Sequence, residues 1–289
     1  MLIKLGIMKK QISSRLSKIL ILLTLVFWPI SLYLANSQTN FFKYIIPSIF
    51  IIISYFLSQK KKRYCLVPIF IIPVFEPKLS ILPFVTVLID FIFDKRILKL
   101  LIGIAISLIV LLFNYKQFKG ETIFQKDYEA QQLVIRNIHL YPKPLIARIY
   151  QNKARIIIDK LNDNFFALTD FNNYFFAFHP REITVKNQNL TKFPFLAIFL
   201  FIFGLIELIK NKLDRFLPTI LISLVVSLSI LTNFDRQDFI LWFPVSLIIV
   251  KGIAFLKNNF EKNHIYIFLA LIFVSLWELI RTIISYRLI

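Results

Sequence analysis

Apolar residues in this chain come in long blocks, and the polar residues fall between the blocks. Nine such blocks are present, approximately 19–35, 44–58, 64–75, 79–93, 97–113, 193–209, 216–232, 239–256 and 264–285. A helix crossing a bilayer needs about 20 apolar residues, with a lower limit near ~17. Most of the blocks approach that length. The pattern therefore predicts an all-α polytopic membrane protein with about nine transmembrane or re-entrant helical segments. Blocks three and four are short and carry Pro68, Pro73 and Pro83 around the turn Glu76-Pro77-Lys78. They read as two short tilted helices or as a re-entrant hairpin. Irregular backbone at membrane depth is tolerated only where protein or a water-filled cavity covers it.

One long hydrophilic segment, Asn114 to Lys192, interrupts the pattern and divides the chain into 1–113, 114–192 and 193–289. Within it, Leu140-Tyr141-Pro142-Lys143-Pro144 reads as a proline-stiffened turn. Leu145 to Phe166 follows, with Ile149, Ile156, Leu161 and Phe165 at near-helical spacing and basic residues between them. This predicts an amphipathic helix, of the kind that can lie on a membrane surface. The stretch after it is aromatic: Phe165, Phe166, Phe171, Tyr174, Phe175, Phe176 and Phe178.

Composition agrees with the block pattern. The chain is 57% hydrophobic with mean hydropathy +0.70, above the ~45–50% apolar content of soluble domains. The formal net charge is +19. In a soluble protein that would suggest nucleic acid, but here Lys and Arg gather at block ends, so no nucleic-acid partner is expected. If the N-terminus is cytoplasmic, seventeen basic residues fall on the inner side: Lys4, Lys9, Lys10, Arg15, Lys18, Lys60 to Arg63, Lys95, Arg96, Lys99, Lys210, Lys212, Arg215, Lys257 and Lys262. The short outer stretches and the C-terminus hold five: Lys43, Lys78, Arg236, Arg281 and Arg287. Positive charge favours the cytoplasmic side. The reading is thus N-terminus in and 114–192 extracytoplasmic. The basic start followed by an apolar run resembles a signal peptide but is too long for one, and is expected to be an uncleaved first span. The Ile-, Lys-, Asn- and Phe-rich composition suggests a bacterial cytoplasmic membrane.

Cys65 is the single cysteine, which excludes an intrachain disulfide and a cysteine-rich metal site. His139, His179 and His264 lack metal-ligand spacing. No metal and no cofactor is expected. Asp90, Glu207, Lys251 and Glu278 lie within a few turns of block ends, which argues against the mid-membrane site of a transporter.

The chemistry therefore falls to the long segment and the hairpin. Arg148, Arg181 and Lys78 carry charge suited to phosphate, and Arg binds it bidentately. His179 adds a hydrogen-bonding group. Asp170 and Glu182 are the candidate acid/base residues. The aromatic run could stack on sugar rings or pack the segment's own core.

Two pieces of the sequence resemble GT-C membrane glycosyltransferases of the protein-mannosyltransferase-like kind. One is Glu76-Pro77-Lys78 followed by Leu79-Ser80-Ile81-Leu82-Pro83 and an apolar run to Asp90. The other is Phe178-His179-Pro180-Arg181-Glu182 leading into the span from Phe193. The resemblance loosely covers the chain from about residue 60 onward. It implies transfer of a sugar from a polyprenyl-phosphate donor at the outer face. The acidic residue that the family carries in its first outer loop has no counterpart in Asn36-Ser37-Gln38-Thr39-Asn40. The likeness is thus to the later part of that fold, and no family catalytic residue carries over. The alternative is a non-enzymatic scaffold or assembly subunit whose outer loop binds a partner.

Overall fold

A computed structural model describes residues 2–35, 41–60, 64–125, 128–140, 152–178, 190–210, 215–232, 234–260 and 263–287. Among these the regular structure is helical, apart from one antiparallel bridge between Thr122 and Leu231. The helices are α1 (Leu2–Ala35), α2 (Phe41–Gln59), α3 (Val67–Phe75), α4 (Leu82–Asp94), α5 (Ile97–Phe113), α6 (Tyr115–Gly120) and α7 (Tyr128–His139). They continue with α8 (Lys153–Thr169), α9 (Phe171–Phe175), α10 (Ala197–Lys210), α11 (Phe216–Ser229), α12 (Trp242–Asn259) and α13 (His264–Arg287). A 3-10 turn, Pro77–Leu79, separates α3 from α4, and a 3-10 segment, Asp235–Leu241, leads into α12.

Each of the nine apolar blocks contains a helix. Among the described residues, four stretches are long and apolar enough to cross a membrane: Ser14–Leu34, Phe42–Gln59, Arg236–Asn259 and His264–Ser285. Ile97–Phe113 and Phe216–Ser229 are shorter apolar helices. At 1.5 Å per residue, the nine residues of α3 rise only ~14 Å and the thirteen of α4 ~20 Å, less than a hydrocarbon core of ~30 Å.

Proline sets the bounds of the short pair. Pro68 and Pro83 sit in the first turns of α3 and α4, where a missing N–H costs nothing. Glu76 precedes Pro77 and takes an extended conformation (φ −131°, ψ 86°), which stops α3. Lys95 stops α4 in the left-handed region at φ 52°.

Proline also shapes the long helices. Pro29 lies inside α1 and cannot donate to the carbonyl of Leu25. That carbonyl instead accepts the indole N–H of Trp242 at 2.9 Å. An apolar interior offers no water to a stranded carbonyl, so the tryptophan completes what the proline leaves open.

The core runs through α1, α2, α10, α11, α12 and α13 and includes Trp28, Ile51, Leu200, Leu224, Ile249 and Phe268. The closest crossing is between α10 and α12. A methyl group placed on Gly204 would lie 1.9 Å from the Ile248 carbonyl oxygen, and one on Gly252 would lie 1.8 Å from that of Leu200. The two glycines face each other's helix four residues apart in register. Backbone meets backbone there, and no side chain fits between.

Candidate functional site: a carboxylate and aromatic cavity

One end of the bundle gathers the charged turns. Lys43, at the start of α2, reaches the buried Glu76 at 3.3 Å, and Lys78 reaches Glu121 at 3.0 Å. The Glu121 carbonyl accepts from the Thr232 N–H at 2.8 Å, and Ile123 N–H donates to Ile230 at 3.0 Å. This ties the segment after α6 to the end of α11. Asn164 of α8 donates to the carbonyls of Ser229 (3.1 Å) and Leu231 (2.6 Å), so α8 is fastened to the same place. The buried face of α8 is Asn164, Ala167 and Leu168, while Phe165 and Phe166 are exposed.

The most enclosed polar cluster at this end centres on Lys192. Its ammonium donates to Asp238 and, at 2.9 Å, to the amide oxygen of Asn173. It also stands 5.1 Å from the Trp28 ring centroid and 5.9 Å from that of Tyr174. Lys192 is 3% exposed and Asp238 1%. Trp28 meets Tyr174, Phe193 and Phe239 edge to face at 5.5–5.8 Å. A buried cation is tolerable because a carboxylate, an amide and two ring faces replace its water. Neither Lys192 nor Asp238 stands out in the sequence. Both abut apolar blocks, where a charged residue ordinarily reaches for solvent.

Of the candidates read from the sequence, Asp170 and Lys78 lie within the described residues, and Arg148, His179, Arg181 and Glu182 lie outside them. Asp170 ends α8 and begins α9. Its backbone is extended (φ −68°, ψ 123°) and one carboxylate oxygen accepts the Asn172 N–H at 2.9 Å. That is an N-cap, for which Asp is among the preferred residues. Thr169 turns its hydroxyl back to the Phe165 carbonyl at 2.9 Å, closing the last turn of α8. Ala177 at φ 57° folds the chain so that the Phe178 N–H reaches the Asn172 carbonyl at 3.2 Å.

These local turns frame a cavity of about 690 Å³ lined by Asp163, Phe166, Ala167, Thr169, Asp170, Phe171 and Phe178. Three exposed aromatic rings and two carboxylates share it. α9 is held in place by Phe175 and Phe171, which both contact Phe201 of α10 at 5.8 Å. An ionised carboxylate offers about four acceptor positions, and the cap uses one of those on Asp170. The others suit hydroxyl donors, while rings beside them suit the apolar face of a sugar or an isoprenoid. Lys78 does not line this cavity. It lies at the same end of the bundle, with its charge met by Glu121.

Two of the ionisable residues noted within apolar blocks fasten neighbouring segments. Asp90 holds Lys99 at 2.6 Å, and Glu278 accepts the Phe195 N–H at 3.1 Å, capping the approach to α10.

No family model matches the chain, and no curated protein and no solved structure matches it.

Proposed function

We propose that this is a multi-pass membrane protein that handles a lipid-linked sugar at the end of the bundle carrying 114–192. The observation that supports it most is the cavity that joins Asp163 and Asp170 to Phe166, Phe171 and Phe178. Sugar sites combine acceptors for hydroxyls with rings for the C–H face. His179, Arg181 and Glu182 follow Phe178 directly in sequence. On this reading they supply phosphate recognition and a second carboxylate, with Arg148 and Lys78 as further cations. Asp170 or Glu182 then acts as the base, in a GT-C-like transfer from a polyprenyl-phosphate donor. The uneven distribution of basic residues supports a cytoplasmic N-terminus and an extracytoplasmic 114–192 in a bacterial cytoplasmic membrane, and the nine apolar blocks support about nine membrane segments, with α3 and α4 as two short tilted helices or a re-entrant hairpin.

Asp170→Asn is the decisive variant. Asn caps a helix as well as Asp does, so the fold is retained while the base is removed. Membranes containing the protein should transfer sugar from a polyprenyl-phosphate-linked donor, and the variant should not. Equal transfer by folded variant and parent would remove Asp170 from the chemistry. No transfer by the parent would remove the enzymatic reading.

A second reading rests on a different observation. Lys43, Lys78 and Lys192 are each met by a carboxylate of the chain itself. That economy of charge also suits a scaffold whose 114–192 segment binds a protein partner. A partner recovered in equal amount from native membranes, and released on deletion of α7, would favour it.

A further inference from the structure

At the opposite end of the bundle, α3, α4 and α5 surround a second cavity of about 520 Å³. Its walls are apolar: Leu66, Val67, Phe70, Val87, Ile102 and Ile106 among them. It opens outward, since Val67 and Ile102 are each 53% exposed. Gly103 permits the approach of α5 to α4, because a methyl there would lie 2.8 Å from both Val87 methyl carbons. One side of the cavity is ionic. Lys99 bridges Asp90 at 2.6 Å and Asp94 at 3.4 Å, and Arg96 meets Asp94 at 3.2 Å. These pairs balance the two acids that line the cavity. Further basic residues flank the segments that line it. Lys95 is exposed between α4 and α5, Arg215 donates to the Phe93 carbonyl at 3.2 Å, and Lys60 follows α2, four residues before the lining residue Tyr64.

We infer that this cavity seats one acyl chain of an anionic phospholipid, with the lipid phosphate at Lys60, Lys95 and Arg215. The volume falls in the usual range of ligand cavities, ~300–1,000 Å³. The wall chemistry matches a hydrocarbon tail, and the surplus of cations matches a phosphate head. Basic pockets beside membrane helices select anionic lipids over zwitterionic ones through this charge difference. The site is separate from the carboxylate and aromatic cavity and does not depend on how that one is used.

The test uses the full chain in nanodiscs of equal phosphatidylglycerol and phosphatidylcholine, with retained lipid read by native mass spectrometry. The parent should retain phosphatidylglycerol in preference to phosphatidylcholine. Lys60→Gln and Lys95→Gln should each reduce that preference about fivefold, the factor equivalent to ~1 kcal/mol per cation near an anionic head. Val67→Trp fills the cavity from an exposed position and should lower bound phosphatidylglycerol at unchanged melting temperature. Ile106→Trp is the second filling variant, should the first fold poorly. Equal retention of the two lipids by the parent would overturn the inference. So would full retention in a folded filling variant, or a preference untouched by both charge removals.

Discussion

The contact between Trp242 and Leu25 yields a prediction that can be worked through. Pro29 has no N–H, so the Leu25 carbonyl lacks its helical donor, and Trp242 supplies one at 2.9 Å. Trp242→Phe keeps a ring beside Phe239, which it now stacks on at 5.5 Å with planes 10° apart. The change therefore chiefly removes the donor. A carbonyl left unpaired in an apolar interior costs about 1–3 kcal/mol. In a Pro29→Ala background the backbone amide of residue 29 returns and can bond Leu25 in the ordinary helical way. Trp242→Phe should then cost about 1–2 kcal/mol less than it does in the parent, a coupling well above the ~0.5 kcal/mol scatter of independent sites. Unfolding of all four proteins in mixed detergent micelles, followed by loss of helical circular dichroism, measures the cycle. Equal cost of Trp242→Phe in both backgrounds would refute the idea that the indole substitutes for the missing amide.

Three further outcomes follow from the same structure. Asp238→Asn strands the Lys192 ammonium and should destabilise the fold by about 3–5 kcal/mol, whereas Lys192→Met combined with Asp238→Leu should cost far less than the two single changes added. The same micelle unfolding assay reads both. Gly204→Ala and Gly252→Ala each force a methyl into a backbone carbonyl at under 2 Å, and should each cost about 1–3 kcal/mol, with helix separation reported by disulfide trapping between α10 and α12. In a Cys65→Ser background, cysteines placed at Lys60 and at Asn172 should label from opposite sides of sealed vesicles with a membrane-impermeant maleimide, and labelling from one side would overturn the proposed topology.

The fold was legible where hydropathy and local chemistry coincide. The block 44–58 became Phe41–Gln59 and 264–285 became His264–Arg287, because polar residues bound each run on both sides. The turn at Glu76-Pro77-Lys78 was legible because proline constrains itself and its predecessor. Hydropathy finds the apolar part of a helix and not its polar continuation, so α1 begins at Leu2 and not near residue 19. It also does not distinguish a 3-10 segment from a loop, so Asp235–Leu241 has no signature of its own in the pattern. In the candidate site, Asp170 and the aromatic residues were visible as types, while Asp163 was just one more polar position on an amphipathic helix. The pairing of Lys192 with Asp238 was invisible, because 46 residues separate them and no local pattern distinguishes a lysine destined for burial from one that reaches water.

That pair also constrains how the chain is made. Lys192 is synthesised just before α10, and Asp238 only after α10 and α11 have both emerged. During that interval the lysine's partner does not yet exist, and hydrocarbon is a costly place for an isolated ammonium to wait. The segment around Lys192 must stay at the water boundary until the residues before α12 arrive. Burial of Trp28 and Phe193 beside it is then a late event in biogenesis. The last two helices act as the step that closes the structure, and a chain stopped before Asp238 should stay open to proteolysis at Lys192.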